Sequence, residues 1–269
     1  MTVKNEVVDF ASVNFQIDWK GKVSFHKALA EDTCVWYGQW NHHEFNQKLN
    51  YEDNNPARLL NNTKLADEFK NYCPTLADEN GNFYLCCDET QINQLIDDLQ
   101  LPKQLLQKCP SCWHNFREFT CQVACSPKQN QFMIVQESGH LANYTDKEVV
   151  MSVEYMLTQS FTDNLFESCY NVTNLILGNA ALDLLCGPWG QANCTAENWL
   201  TYMGDTNNGF SPFPINVTFW DQDEVNRNDN TTYRPMNATT FPCSVGFGDE
   251  PACVCLDCSA SCPVAGELD

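Results

Sequence analysis

The chain has 269 residues, and its 35 acidic and 15 basic side chains give a formal charge of −20 at pH 7. This length allows one large domain or two small ones with a sizeable hydrophobic core. The negative charge argues against a nucleic-acid partner and against electrostatic docking on anionic lipid, because both need clustered lysine and arginine.

The N-terminal third of the sequence predicts one extended segment and two helices. Residues 7–17 alternate weakly, which indicates a strand or an extended arm. A turn at Asn54–Pro56 precedes a helix predicted to run through Tyr72. The next helix has Asp88 as its expected N-cap and Gln91 three residues later, as in a capping box. Its apolar residues repeat at helical spacing up to Leu99.

The rest of the chain adds helices and a few strands. Helical spacing predicts one helical stretch over 103–125, a long amphipathic helix over 147–169 and a shorter one over 174–186. Residues 131–138 and 213–220 have strand character, and the polar segment 221–242 is typical of a loop. This mixture predicts the α+β class.

Sixteen cysteines and seven Asn-x-Ser/Thr sequons indicate a luminal or extracellular chain held by disulfides. The glycosylation candidates are Asn61, Asn143, Asn171, Asn193, Asn216, Asn230 and Asn237. The first residues contain no apolar run of signal-peptide length, and no 18-residue apolar run follows. We therefore expect a fragment whose signal was removed or replaced and whose membrane anchor lies beyond Asp269.

Little in the sequence points to catalysis. The C-x-x-C at 109–112 matches redox and zinc sites, but so many cysteines favour disulfides to two distant partners. No serine-hydrolase elbow, zinc-protease motif or P-loop is present, and the acidic residues are scattered. We expect no catalytic residue, no metal and no cofactor, and a binding module rather than an enzyme.

Eight ordered segments between Cys34 and Cys262 resemble the N-terminal luminal domain of the Niemann-Pick type C1 family of sterol transporters. They are CVWYGQ (34–39), YLCCDETQ (84–91), LQLP (99–102) followed by CPSCWHNF (109–116), TCQVACSPKQNQF (120–132), LLCG (184–187), NWLTYMGD (198–205), SPFPI (211–215) and CVCLDCSASC (253–262). The resemblance implies a single disulfide-rich, mainly helical domain with a small mixed sheet over 34–262. Residues 1–33 would be an extension or added sequence, and 263–269 the start of a linker to a membrane region.

The resemblance also implies a function and partners. The family domain binds cholesterol or related sterols, receives them from the small soluble Niemann-Pick type C2 carrier, and passes them to the membrane-spanning remainder of the same polypeptide. It acts in the lumen of late endosomes and lysosomes or at the extracellular face of the plasma membrane. The surface around Leu184, Leu185 and 198–212 would meet the carrier. A protein-recognition ectodomain on the same fold stays open as an alternative, as does a disulfide-rich hydrolase or redox enzyme.

A disulfide pairing follows from the resemblance as well, and it uses all sixteen cysteines. The implied pairs are Cys34–Cys86, Cys73–Cys121, Cys87–Cys125, Cys109–Cys253, Cys112–Cys169, Cys186–Cys194, Cys243–Cys258 and Cys255–Cys262. Trp40 and Tyr51 stand where family members have one further pair. We therefore expect the 40–51 loop to be held by packing and to be looser.

By the same resemblance, Asn50 and Gln91 bind the sterol hydroxyl, and Gln39 lies beside them where other members often carry an acid. An amide suits this task because it donates and accepts without charge. From the residues alone, Gln91 is a capping-box partner and Asn50 a polar loop residue. The implied apolar wall comprises Trp36, Leu95, Thr120, Ala124, Leu184, Leu185, Pro212, Phe213 and Ile215. Thr120 and Ala124 are smaller than usual, so we expect tolerance for altered sterols.

Overall fold

The computed structural model describes residues 13–17, 23–27, 31–42, 47–140, 147–173, 178–209, 211–227 and 231–263. The chain divides into two compact units, 1–31 and 32–269. In the first unit, β1 (Val13–Ile17) and β2 (Val23–Lys27) pair antiparallel. The expected strand within 7–17 is therefore present over the residues of β1. The boundaries expected at 33/34 and 262/263 stay predictions.

The second unit contains helices packed around one long central helix. The helices are α1 (Thr63–Phe69), α2 (Glu89–Asp98), α3 (Gln100–Leu106), α4 (Pro110–Cys125), α5 (Gln129–Phe132), α6 (Gln159–Cys169), α7 (Leu182–Leu185) and α8 (Ala196–Met203). Helix α4 begins at Pro110, whose missing N–H costs nothing at the first helical position. Its buried residues lie on several faces, so it forms the middle of the core.

A small mixed sheet covers the helices. Its strands are β3 (Trp36–His42), β4 (Gln47–Glu52), β7 (Met133–His140), β8 (Glu148–Thr158) and β9 (Ile215–Trp220). Strand β8 is central: β7 runs antiparallel on one side, while β4 at its start and β9 parallel to its second half lie on the other. Two short pairs complete the strands, β5 (Arg58–Leu59) with β6 (Tyr84–Leu85) and β10 (Val225–Asn226) with β11 (Thr232–Tyr233).

The long helix predicted over 147–169 is wrong in its first half. Residues 148–158 form the central strand β8, and helix α6 begins only after Thr158, whose hydroxyl accepts from the Phe161 N–H at 3.2 Å. Eight of the eleven residues of β8 are buried, on both faces of the strand. Such a strand is a continuous apolar run, and its residues then resemble a helical stripe.

Three smaller expectations also need correction. The helix expected after Asn54–Pro56 starts only at α1, and Leu59 belongs to β5 instead. The helical stretch over 103–125 is divided into α3 and α4. Of the helix expected over 174–186, residues 174–177 lie outside the described part, and only α7 is helical after Gly178, whose φ of +70° interrupts a right-handed helix.

The α+β class and the disulfide pairing are confirmed. All sixteen cysteines are described, and all are paired as expected, with Sγ–Sγ distances of bonding length; the pairs are Cys34–Cys86, Cys73–Cys121, Cys87–Cys125, Cys109–Cys253, Cys112–Cys169, Cys186–Cys194, Cys243–Cys258 and Cys255–Cys262. Both cysteines of the C-x-x-C are therefore structural.

The sequons differ in accessibility. Asn61, Asn193, Asn216 and Asn237 are exposed and Asn171 is half-buried, while Asn143 and Asn230 lie outside the described residues. Glycan attachment stays a prediction at each of them. In the described part of the chain, no helix has the length and apolar character needed to cross a membrane.

Candidate functional site

A cavity of about 170 Å³ lies between α2, α4, the β3–β4 hairpin and the segment that joins α8 to β9. Each of these elements contributes side chains to its lining, which is mainly apolar. The buried face of α2 contributes residues spaced three and four apart, as expected for one side of a helix. The cavity is thus a joint product of helix and sheet packing, and no single segment forms it.

Three amide side chains meet at one end of the cavity. Gln39 on β3 lies directly opposite Asn50 on β4, so the expected loop over 40–51 is largely a hairpin, although residues 43–46 lie outside the described part. Gln91 on α2 reaches the same place, because its Oε1 accepts from the N–H of Gly38, next to Gln39, at 2.7 Å. All three line the cavity.

Gln91 has a structural role and a free donor at the same time. Its Oε1 accepts from the backbone N–H of Gly38 and, at 2.9 Å, from that of Asp88, which completes the capping box of α2. Asp88 Oδ1 in turn accepts from the Gln91 N–H at 2.9 Å. Two N–H donors thereby fix the orientation of the amide. The Gln91 Nε2 has no acceptor within the described residues and is available to a ligand.

Asn50 is buried without a side-chain hydrogen bond to any described residue. It is 9% exposed and Gln91 is 8% exposed, which is unusual for polar side chains that retain unused donors or acceptors. A buried amide without partners costs free energy unless a ligand or water satisfies it. The closed end of the cavity therefore offers a donor at Gln91 and both functions of an amide at Asn50.

Exposure increases from this end to the other. Asp98 at the end of α2 and Pro212 shortly before β9 are both exposed, and both line the cavity. Asn50 and Gln91 are therefore at the closed end, and the opening lies toward Asp98 and Pro212.

The apolar lining contains most of the expected wall. Trp36, Leu95, Thr120, Ala124, Pro212, Phe213 and Ile215 all line the cavity. Trp36 is fixed by a hydrogen bond from its Nε1 to the Ala124 carbonyl at 3.0 Å and by an edge-to-face contact with Phe213 at 5.6 Å between ring centroids. The Thr120 hydroxyl donates to the Arg117 carbonyl at 3.0 Å within α4, so it makes no demand on a ligand.

Two expected wall residues lie elsewhere. Leu184 and Leu185 are absent from the lining of this cavity. Both belong to the short helix α7, where Leu185 is fully buried in the core and Leu184 is 46% exposed at the surface. Their place in a sterol-binding wall therefore stays a prediction.

Several lining residues were not anticipated. They are Gln94, Asp98, Leu99, Pro102, Phe116, Phe119, Val123, Met203, Gly204 and Ser211. The helical spacing from Gln91 identifies Gln94, Leu95 and Asp98 as one face of α2, and this signal was present in the sequence. No local pattern marks Met203 and Gly204, because only the packing of α8 against β9 brings them to the cavity.

A separate polar group lies at the open end. Lys48 donates to the Gln94 side chain, which donates to Asp98 Oδ1 at 2.6 Å. Although Asp98 is exposed as a whole residue, partial desolvation of its carboxyl group raises its pKa, and the hydrogen bond from Gln94 and the charge of Lys48 oppose that rise. The charged groups are therefore at the opening, and the closed end is neutral.

No group of three or more His, Cys, Asp or Glu side chains in the described ranges is arranged to hold a metal ion. The amides at the closed end are poor nucleophiles and poor general bases. The arrangement of this cavity suits binding of an apolar molecule with one hydroxyl group.

Comparison with known proteins supports the family resemblance found in the sequence. The family model described as Niemann-Pick C1 N terminus matches residues 31–269. NPC intracellular cholesterol transporter 1 of Sus scrofa is 34% identical over 237 residues, which cover 86% of this chain and 18% of that protein. The NPC intracellular cholesterol transporter 1 homolog 1b of Drosophila melanogaster is 29% identical over 94% of this chain and 20% of that protein.

A third relative has a different name. NPC1-like intracellular cholesterol transporter 1 of Mus musculus is 33% identical over 78% of this chain and 16% of its own length. The chain thus spans about a fifth of the length of the curated relatives that it matches.

Proposed function

This chain belongs to the Niemann-Pick C1 N-terminal family of cholesterol transporters, and on that premise we propose that it binds cholesterol or a related sterol in the cavity between α2 and α4. The 3-hydroxyl is bound at the closed end by Asn50 and Gln91, with Gln39 beside them. The observation that carries the proposal is the pair of buried amides with unused hydrogen-bonding groups beside an apolar wall.

The hydrogen bonds can be assigned to atoms. The Gln91 Oε1 is already occupied by two backbone N–H groups, so the Gln91 Nε2 donates to the sterol oxygen. The sterol hydroxyl hydrogen is then donated to the Asn50 Oδ1. A sterol ester or sterol sulfate should bind poorly, because it lacks this hydrogen and crowds the closed end.

The apolar part of the ligand extends from the amides toward the opening. Trp36, Leu95 and Phe213 flank it, and burial of its rings stabilises the complex by roughly 25 cal/mol per Å². The small side chains of Thr120 and Ala124 leave room along α4, so sterols with additional ring or side-chain substituents should be tolerated. Strict selectivity for cholesterol in a binding panel would contradict that expectation.

Transfer of the bound sterol is the second part of the proposal. The sterol would arrive from a small soluble Niemann-Pick type C2 carrier at the open end, where Pro212 is exposed. The carrier would also contact the surface around Leu184, which is 46% exposed. It would pass to a membrane-spanning remainder of the same polypeptide, in an endosomal or lysosomal lumen or at the extracellular face. No catalytic step and no cofactor are part of this function.

The test is equilibrium binding of radiolabelled cholesterol to the wild-type chain and to Gln91→Glu. The variant keeps an oxygen for the Gly38 and Asp88 N–H groups and so keeps the cap, but it replaces the Nε2 donor with an acceptor. We expect affinity to fall about 10- to 100-fold, the equivalent of one charge-free hydrogen bond lost in a buried site. Asn50→Ala should show a loss of similar size.

Asn93→Ala is the matched control, because Asn93 is an exposed amide on the same helix that donates only to the Glu89 carbonyl at 2.7 Å. Wild-type affinity in Gln91→Glu would show that the hydroxyl is not bound by that amide. No saturable binding of any sterol to the wild-type chain with its disulfides intact would instead favour the protein-recognition ectodomain.

A further inference from the structure

A second cavity, separate from the first, lies on a neighbouring face of α4. Its volume is about 550 Å³, within the range of small-molecule sites. It is enclosed by the end of α1, by α3, by the start of α4 and by the turn at 247–250. The side chains that give it chemical character are Tyr72, Lys103, Trp113, Arg117 and Phe247, with Glu68 and Glu250 at its exposed rim.

Arg117 is the unusual residue in this cavity. Its Nε is buried and has no hydrogen-bond partner, and none of the ion pairs found among the described residues involves it. Burial lowers the pKa of its guanidinium, and the charges of Glu118 and Glu250 only partly oppose this. A partly desolvated charge without a paired anion is costly, so an anion bound in this cavity would stabilise Arg117.

The guanidinium is also held in place. His114 Nε2 lies 3.2 Å from the Thr239 carbonyl, which fixes the hydrogen on Nε2 and leaves Nδ1 as an acceptor. Arg117 Nη2 donates to that Nδ1 at 3.4 Å. His114 therefore orients the fork of Arg117 without neutralising it. Because Nε is closed off and Nη2 contacts His114, the nitrogen left for a ligand is Nη1, which has no hydrogen-bond partner among the described residues.

The rest of the cavity restricts the kind of anion. The rings of Tyr72, Trp113 and Phe247 supply flat apolar walls, and the Lys103 ammonium lies 4.9 Å from the centroid of the Tyr72 ring. The two glutamates at the rim repel a multiply charged anion more than a singly charged one. A carboxylate attached to a ring would meet all three conditions: it can pair with Arg117, its ring can pack against the aromatic side chains, and it carries only one negative charge past the two glutamates.

We propose that this cavity is a binding site for a small organic carboxylate with an aromatic or alicyclic body. Its carboxylate pairs with Arg117, assisted by Lys103, and its ring packs among Tyr72, Trp113 and Phe247. Since α4 lines both cavities, the second site lies next to the first but shares none of its lining residues.

The experiment is calorimetric titration of the full 269-residue chain with benzoate, with benzamide as the neutral isostere and with inorganic phosphate. We expect saturable binding of benzoate and none of benzamide. Arg117→Gln should lower the benzoate affinity about 10- to 100-fold, as for a lost charge-assisted bond. Glu250→Gln should change it in the opposite direction, because it removes a competing negative charge.

Two further variants keep the test decisive. Arg58→Gln is the control for loss of an arginine charge elsewhere, since Arg58 pairs with Asp53, lies over the Tyr37 ring and is outside the cavity. If Arg117→Gln fails to fold, Lys103→Gln and the contrast between benzoate and benzamide carry the decision. The proposal is overturned by benzoate that does not bind, by equal binding of benzamide, by tighter binding of phosphate, or by an unchanged affinity in the arginine variant. Cholesterol binding should be unaffected throughout.

Discussion

The two long walls of the first cavity are held in different ways. Helix α4 forms one wall and carries or adjoins four disulfides, from Cys109, Cys112, Cys121 and Cys125 to partners in four other segments. The opposite wall runs from Met203 to Ile215 and contains no cysteine. In its described part it is held by contacts such as the 3.0 Å hydrogen bond from the Ile215 N–H to the Gly204 carbonyl and by the packing of Phe213.

This difference indicates which wall can move. Four covalent links to separate segments fix the position of α4 in the folded chain, whereas hydrogen bonds and ring contacts open at a cost of one or two kcal/mol each. A rigid plate enters a cavity of about 170 Å³ only if a wall is displaced. We therefore expect the Met203–Ile215 wall to move when a ligand enters or leaves, and the α4 wall to stay in place.

The largest change in stability is expected when one α4 disulfide is removed. The Cys112–Cys169 bond closes a sequence separation of 57 residues, and the paired change Cys112→Ala with Cys169→Ala should lower the free energy of unfolding by about 4 kcal/mol. The measurement is urea-induced unfolding monitored by circular dichroism.

The matched control is the paired change Cys186→Ala with Cys194→Ala. That bond closes a separation of only 8 residues and lies away from α4, so it should cost about 2.5 kcal/mol. If both paired changes lower the free energy of unfolding equally, the disulfides of α4 do not stabilise the domain more than a short-range disulfide does.

A second test adds a methyl group to the Met203–Ile215 wall. A Cβ on Gly204 would lie 2.0 Å from the Ile215 carbonyl oxygen, although the φ of Gly204 is an ordinary −85°. Gly204→Ala must therefore separate α8 from β9, at a cost of about 3 kcal/mol, and should weaken sterol binding with it. The readouts are thermal unfolding and cholesterol affinity.

Gly209→Ala separates packing from backbone strain in the same segment. Gly209 has a φ of +78° and open space around its Cα, so alanine there costs only about 1 kcal/mol of strain. If both variants lose the same stability, the close contact between α8 and β9 does not hold the wall.

Several elements of the fold were predictable because residues close together in the sequence determine them. The Asp88 cap, its partner Gln91 and the apolar spacing of α2 depend on neighbouring residues, and they are confirmed. The disulfide pairing was predictable only through the family resemblance, because sixteen cysteines can pair in very many ways. Strand β8 was missed because burial on both faces removes the alternation that identifies a strand.

Part of the candidate site was predictable, and again only through the family resemblance. Asn50, Gln91 and most of the wall came from the resemblance, and the structure brings them to one cavity, while their contact with a sterol stays a prediction. Leu184 and Leu185 also came from the resemblance; they belong to the four-residue helix α7 outside this cavity, and their role stays a prediction. Arg117 could not be recognised from sequence at all, since its lack of a paired acid depends on how α3, α4 and the 247–250 turn meet.

The smallest expected effect concerns pH and the face of α4 that points away from the first cavity. His114 is 6% exposed and packs against Phe241 and Phe247, and burial together with the charge of Arg117 lowers its pKa from 6.5 to about 4. Between these two values the unfolded chain binds a proton that the folded chain does not. Stability therefore falls as the pH decreases from 6.5 toward 4, by about 2 kcal/mol between pH 7 and pH 5.

His114→Gln should remove this dependence while keeping a donor for the Thr239 carbonyl. Buried Glu118 acts in the opposite direction, because burial raises its pKa and the folded chain then binds a proton at higher pH than the unfolded one. The informative quantity is thus the difference between wild type and variant in unfolding free energy at pH 7 and at pH 5. A wild-type pH slope retained in His114→Gln would mean that this histidine does not set the slope and that other titrating groups do.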